Sequence, residues 1–207
     1  SDHGFCSFRR GVNLNTWLHQ QGYLSLKESS GAAEWFENVD WTKTTAYAFG
    51  LTGIYLNMKT RESLGTVEPG KQACQLKKEL REKLQGLVDT ETGRVAIRQV
   101  FDSGEAFNGP YKENAPDLII GFGEGYRASW DSVQGRVTKM VFEVNAKAWS
   151  GDHCIDPDLV PGVLFSNWKI TADRPAITDI APTVLELFGV GLPPHMDGRR
   201  WSTPPPA

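Results

Sequence analysis

Apolar and polar positions recur at helical spacing most clearly over residues 71–87. There Ala73, Leu76, Leu80, Leu84 and Leu87 return every three or four residues, while Lys77, Lys78, Arg81 and Lys83 take the other face. The spacing predicts a surface helix packed on a sheet. A second helix is expected over 180–188, announced by Thr178-Asp179 and stopped before Gly189 and Gly191, with Pro193-Pro194 beyond. A short one is expected over 14–22.

Short apolar runs bounded by turn residues predict strands instead. Residues 45–50 and 53–57 read as extended pieces around turn glycines, and 94–101 as a strand after the Thr90-Glu91-Thr92-Gly93 turn. Residues 116–122 and 161–166 suit buried strands. Between those two runs lies a polar, glycine-bearing stretch with Trp130 and Trp149, to which no element is assigned. A polar loop is expected around Glu28-Ser29-Ser30-Gly31, and a mobile Pro-rich tail over 202–207. Helices and strands interspersed in this way imply an α/β layered fold.

Composition narrows the function classes. At 207 residues, 40% hydrophobic and 23% charged, the chain can bury one substantial core. A net charge of -3 argues against a nucleic acid as a stable partner, because the phosphate backbone demands a basic face. Three cysteines, Cys6, Cys74 and Cys154, make no disulfide framework and favour a reducing, cytoplasmic setting. No apolar run approaches the roughly 20 residues of a membrane span. The pattern leaves the oligomeric state open.

Two stretches carry ligand-type side chains. Asp2-His3-Gly4-Phe5 opens the chain, and Trp149-Ser150-Gly151-Asp152-His153-Cys154-Ile155-Asp156-Pro157-Asp158 surrounds a histidine with acids. Mixed carboxylate and imidazole donors suit zinc, manganese or iron better than calcium or magnesium. The competing reading is a solvated terminal pair and acids that cap turns. Cys154 fits a third ligand or a small buried hydrophobe. Asp152 and Asp156 could orient His153 by accepting its second ring N–H.

These stretches and others in the same order resemble a known family. Asp2-His3-Gly4-Phe5 is followed by Asn13-Leu14-Asn15-Thr16-Trp17-Leu18, Gly22-Tyr23-Leu24, Asp40-Trp41, Ala46-Tyr47-Ala48, Gly53-Ile54-Tyr55-Leu56-Asn57 and Arg61-Glu62. Ala115-Pro116-Asp117-Leu118, Ser150-Gly151-Asp152-His153, Asp179-Ile180-Ala181-Pro182-Thr183-Val184-Leu185, Gly189-Val190 and Met196-Asp197-Gly198 continue it. The whole resembles the second half of the alkaline phosphatase superfamily, in its type I phosphodiesterase and nucleotide pyrophosphatase branch.

The resemblance implies an alkaline phosphatase-like α/β sandwich with a mixed central sheet. Residues 1–201 would be the C-terminal portion of such a catalytic domain, and 202–207 a tail. It implies metal-dependent hydrolysis of small-molecule phosphate esters, diesters or monoesters, with two divalent ions, zinc or else manganese. Asp2 and His3 would hold one ion and His153 the other. The nucleophile is expected upstream, so the isolated chain should be a poor catalyst. Alternatives are a phosphomutase, or a binding module that kept the fold without the chemistry. Arg9 and Arg61 are candidates for the phosphate oxygens, which a guanidinium fork matches, and Arg10 is assigned to solvent. The hydroxyls of Thr42, Thr44 and Thr45 lack an activating base and read as loop and strand residues.

Overall fold

A computed structural model describes residues 1–28, 34–170 and 172–201. In chain order the elements are β1 (Cys6–Val12), α1 (Leu14–Gln20), β2 (Ala46–Phe49), β3 (Gly53–Leu56), α2 (Lys71–Leu84), β4 (Val88–Asp89), β5 (Arg94–Val95) and β6 (Ile97–Asp102). There follow α3 (Ser103–Ala106), β7 (Leu118–Phe122), β8 (Gly125–Ala128), α4 (Trp130–Val133), β9 (Phe142–Val144), β10 (Gly151–Asp152) and α5 (Ile180–Leu187). The fold is of the mixed α/β class that the residue pattern implies. It divides into two units, one from His3 to Pro161, the other joining Ser1–Asp2 to the residues from Gly162 onward.

The larger unit builds two sheets. In the first, β8 runs parallel to β1 while β9 and β10 pair with it antiparallel. The second is antiparallel, in the order β2-β3-β7-β6. Val12, Leu14, Leu18, Ile54, Leu56, Leu80, Ile97, Leu118 and Phe122 belong to one buried cluster that ties sheets and helices together.

Helix ends follow their glycines. α1 starts where the Asn13 side chain accepts the Thr16 N–H at 2.9 Å. It ends before Gly22, whose φ of +81° lets the Tyr23 N–H return to the Leu18 carbonyl at 2.8 Å. α2 packs on β6 and buries Ala73, Leu80 and Leu84. It stops three residues short of the expected 87, because Gln85 is extended and Gly86 has φ +81°. The expected 94–101 strand is divided at Ala96 into β5 and β6, and β4 and β5 form a hairpin across the 90–93 turn.

Two expectations fail. The stretch around Trp130 and Trp149 holds β8, α4, β9 and β10, none of which shows alternation strong enough to read. Conversely, 161–166 forms no strand, and Phe165 is 92% exposed. An apolar run becomes a strand only where a neighbour offers a ladder. Among the described residues of the smaller unit, Val163 exchanges backbone hydrogen bonds with Ser1 alone, at 2.8 and 3.1 Å.

In that smaller unit α5 follows the sequence closely, ending at Leu187 with Gly189 at φ +66°. Asp179 anchors its start by accepting from the Ala176 and Arg199 N–H groups and from the Trp201 indole, at 2.9, 2.7 and 3.1 Å. The 202–207 tail and Ser29-Ser30-Gly31 of the expected loop lie outside the described residues.

Candidate metal centre

β1 and β10 pair with Cys6 opposite Asp152 and Ser7 opposite Gly151. That register carries the residues just before β1 and just after β10 to one edge of the sheet. His3 and His153 meet there, their rings stacked with centroids 3.9 Å apart and 11° between planes. Phe5 closes the group edge-on, 5.3 Å from His3 and 5.4 Å from His153.

Gly4 holds the approach. Its N–H donates to the Val160 carbonyl at 2.9 Å, and a Cβ at this position would lie 3.1 Å from the Pro161 carbonyl oxygen. The His3 Nδ1 sits 2.9 Å from the Gly4 carbonyl oxygen. Since a carbonyl only accepts, this contact places a proton on Nδ1, and the tautomer with that proton leaves Nε2 as the nitrogen that would meet a metal. His153 is exposed at the same edge.

The backbone that carries His153 is fixed by a buried ion pair. Asp152 Oδ1 accepts from the N–H groups of His153 and Cys154 at 2.8 and 2.9 Å. Its Oδ2 accepts from Arg127 and, at 3.1 Å, from the Trp149 indole. Arg127 is 2% exposed and Asp152 5%. The guanidinium lies between two rings, 4.7 Å from the centroid of Phe8 and 4.1 Å from that of Trp130. Asp152 thus orients His153 through the main chain and not through the imidazole. The sequence offered no signal for Arg127, since nothing local in Gly125-Tyr126-Arg127-Ala128 names a partner 25 residues on.

Burial alone would push the Asp152 carboxyl up, but the Cys154 N–H, the Arg127 guanidinium and the Trp149 indole together hold it well below the usual carboxylate range. A carboxyl depressed in the folded state contributes stability that is complete above its unfolded pKa of about 3.9 and is lost as pH falls toward the folded value. The stability gap between the wild type and Asp152→Asn should therefore be constant near neutrality and narrow below about pH 4. Urea unfolding at pH 7, 4 and 3 measures it, and a gap that widens in acid would refute the assignment.

Asp152, His153 and Cys154 offer ligand atoms within 4.8 Å of one another. Asp152 spends both oxygens on the donors just named. The Cys154 thiol is pushed up, first by burial and then by the Asp152 charge, which keeps it protonated. Of the three, His153 is the side chain fitted to take an ion. Asp2 falls in the smaller unit, where its main chain abuts Gly162.

Other expected residues lie elsewhere. Arg9 is exposed three residues into β1, about 10 Å along the strand from Cys6, on the side away from the histidine edge. Arg61 is committed to Glu62 at 2.7 Å, to Asp117 at 2.8 Å and to the Leu56 carbonyl at 2.8 Å, a structural clasp and not an open phosphate fork. Arg10 is not left to solvent: it pairs with the buried Asp89 at 2.5 Å and with Glu91 at 2.7 Å. Asp156 forms an ion pair with Arg98 at 3.0 Å and accepts from the Asp158 N–H at 3.0 Å, and so holds a turn.

The threonine hydroxyls are engaged as donors, two in a local turn and one across to a distant segment. Thr42 donates to Asp40 Oδ1 at 2.6 Å, Thr44 to the Asp40 carbonyl at 2.9 Å and Thr45 to the Tyr23 carbonyl at 3.2 Å. Asp40 is a weak base for Thr42, because the hydrogen bond from that hydroxyl, with Lys43, lowers its pKa.

The mixed α/β fold is that of the alkaline phosphatase-like class of phosphoester hydrolases. The chain belongs to the type I phosphodiesterase / nucleotide pyrophosphatase family, whose model matches residues 1–141 of the 207. The matched part contains His3 and ends before the loop of His153. No curated protein and no solved structure matches the chain. Among the described residues, no helix is long and apolar enough to cross a membrane.

Proposed function

We propose that this chain contributes part of a two-metal site for hydrolysis of small-molecule phosphate esters, with His3 on one ion and His153 on its neighbour. The stacked pair of imidazoles carries the proposal. A ring spacing of 3.9 Å matches the separation of about 3.5–4 Å between the ions of two-metal sites, so each ring can serve its own ion. Nitrogen donors favour zinc, with manganese as the alternative. Asp2, next to His3 in sequence, is proposed as co-ligand on the motif alone.

Bound ions of this kind neutralise charge on the attacking and leaving oxygens. The chain's own part is to aim the two imidazoles and to keep their backbone rigid. The nucleophile is proposed to come from outside these 207 residues, since the hydroxyls of Thr42, Thr44 and Thr45 are committed as donors to Asp40 and to the Tyr23 carbonyl. The exposed apolar residues Val163, Leu164, Phe165, Ile180, Val184 and Leu187 of the smaller unit support further domain layers packing there.

The test is hydrolysis of an aryl phosphodiester and an aryl phosphomonoester by the longer parent protein, after chelation and after adding back zinc or manganese. Turnover should vanish on chelation and return with the metal, while the 207-residue chain alone stays near background. Turnover indifferent to the chelator would sink the proposal.

A further inference from the structure

The larger unit holds a polar cavity of about 460 Å³ at the end of β7 away from the His153 loop. β7 begins at Leu118 beside the cavity, and at its other end the Phe122 carbonyl accepts the Asp156 N–H at 3.1 Å. Five strand residues separate the two places by about 17 Å. The cavity walls are the turn after β3, the middle of α2, the start of α3 and residues 112–117 ahead of β7. These walls are tied together. Ser103 donates its N–H to the Asp117 carbonyl at 3.3 Å and its hydroxyl to the Pro116 carbonyl, and the Leu56 N–H donates to Asp117 Oδ2 at 2.8 Å. A cavity held in this way needs little ordering to receive a ligand.

Most charges in the walls are spent on one another. Lys77 pairs with Asp102 at 2.7 Å, and Arg61 with Asp117 at 2.8 Å. Arg61 also serves Glu62 at 2.7 Å, so one guanidinium answers two carboxylates. Both hydrogen bonds that Asp117 accepts fall on Oδ2, which leaves Oδ1 without a donor among the described residues, on a side chain only 18% exposed. At the rim, the exposed Lys112 ammonium and Glu113 carboxylate have no side-chain partner among the described residues.

The spare groups select the ligand. A simple anion is disfavoured, because Arg61 and Lys77 are already committed and the excess charge on the inner wall is negative. A simple cation satisfies Asp117 but leaves Lys112 unpaired beside it. A molecule with an ammonium and a carboxylate a few Å apart answers both, the ammonium donating to Asp117 Oδ1 and the carboxylate accepting from Lys112 and from the Thr60 hydroxyl. Met58, Ala115 and Pro116, all half-buried, form the apolar part of the wall, against which an aliphatic side chain can bury its surface.

We propose that this cavity binds a free α-amino acid with an aliphatic side chain. Titration calorimetry of the chain with L-leucine tests it, against 3-methylbutylamine, which lacks the carboxylate, and 4-methylpentanoate, which lacks the ammonium. Leucine should bind saturably, and each analogue about tenfold more weakly or worse. Lys112→Ala, at an exposed position, should weaken leucine about tenfold and leave 3-methylbutylamine unchanged. Asp117→Asn should weaken leucine and the amine alike. Because Asp117 also clasps Arg61, circular dichroism confirms the folding of that variant, and Lys112→Ala decides the matter should it fail to fold. No saturation by about 20 mM, equal affinity for either analogue, or leucine binding unchanged in Lys112→Ala would overturn the proposal. Tighter binding of leucyl-glycyl-glycine than of leucine would overturn it too, by assigning the cavity to a peptide N-terminus.

Discussion

Replacing Arg127 by methionine is expected to destabilise the larger unit by about 3–5 kcal/mol, the usual loss when one member of a buried ion pair is removed. The cost arises because Asp152, 5% exposed, keeps its charge and loses its strongest donor. Methionine fills the slot between Phe8 and Trp130 with a side chain of similar length, so packing is largely spared. Adding Asp152→Asn should recover part of the loss, since the stranded charge goes with it. The Asn side chain can still accept from the His153 and Cys154 N–H groups that Oδ1 now serves. Urea unfolding of the four proteins of this double-mutant cycle measures the coupling. Additive losses would mean that Arg127 does not act through Asp152.

Zinc affinity should fall more than about 100-fold in His153→Ala, beyond the 10–100-fold typical of losing a residue that only supports a ligand. Competition with a chromophoric chelator reads this directly. Under the proposed function, hydrolysis by a protein that joins this chain to its nucleophile should fall with it, because the proposal gives one of the two ions no other ligand from this chain. Asp156→Asn is the contrast. Its carboxylate serves Arg98 and a turn, so zinc affinity should change little while stability drops. Unchanged zinc affinity in His153→Ala would remove this histidine from the site.

The amino-acid sequence alone was enough to locate both histidines. His3 and His153 stood out because imidazole among carboxylates, beside glycine, is recognisable locally, and the ordered motifs named the family to which residues 1–141 belong. It also specified α1, α2, α5, β2, β3 and β7, whose apolar spacing and terminal glycines are properties of neighbouring residues. What it left open were matters of distant pairing. Arg9 and Arg61 carry the right group for phosphate, yet the fold leaves one out along β1 and binds the other to Asp117, a partner fixed only once β3 and β7 align. The 161–166 run is apolar enough for a strand, but a strand also needs a ladder, which no local pattern guarantees. Only the tertiary structure decided that β1 pairs with β10, because register depends on which two edges meet. That pairing brings the two imidazoles to stacking distance, and the parallel pairing of β8 with the same β1 delivers Arg127 to the carboxylate that holds one of them.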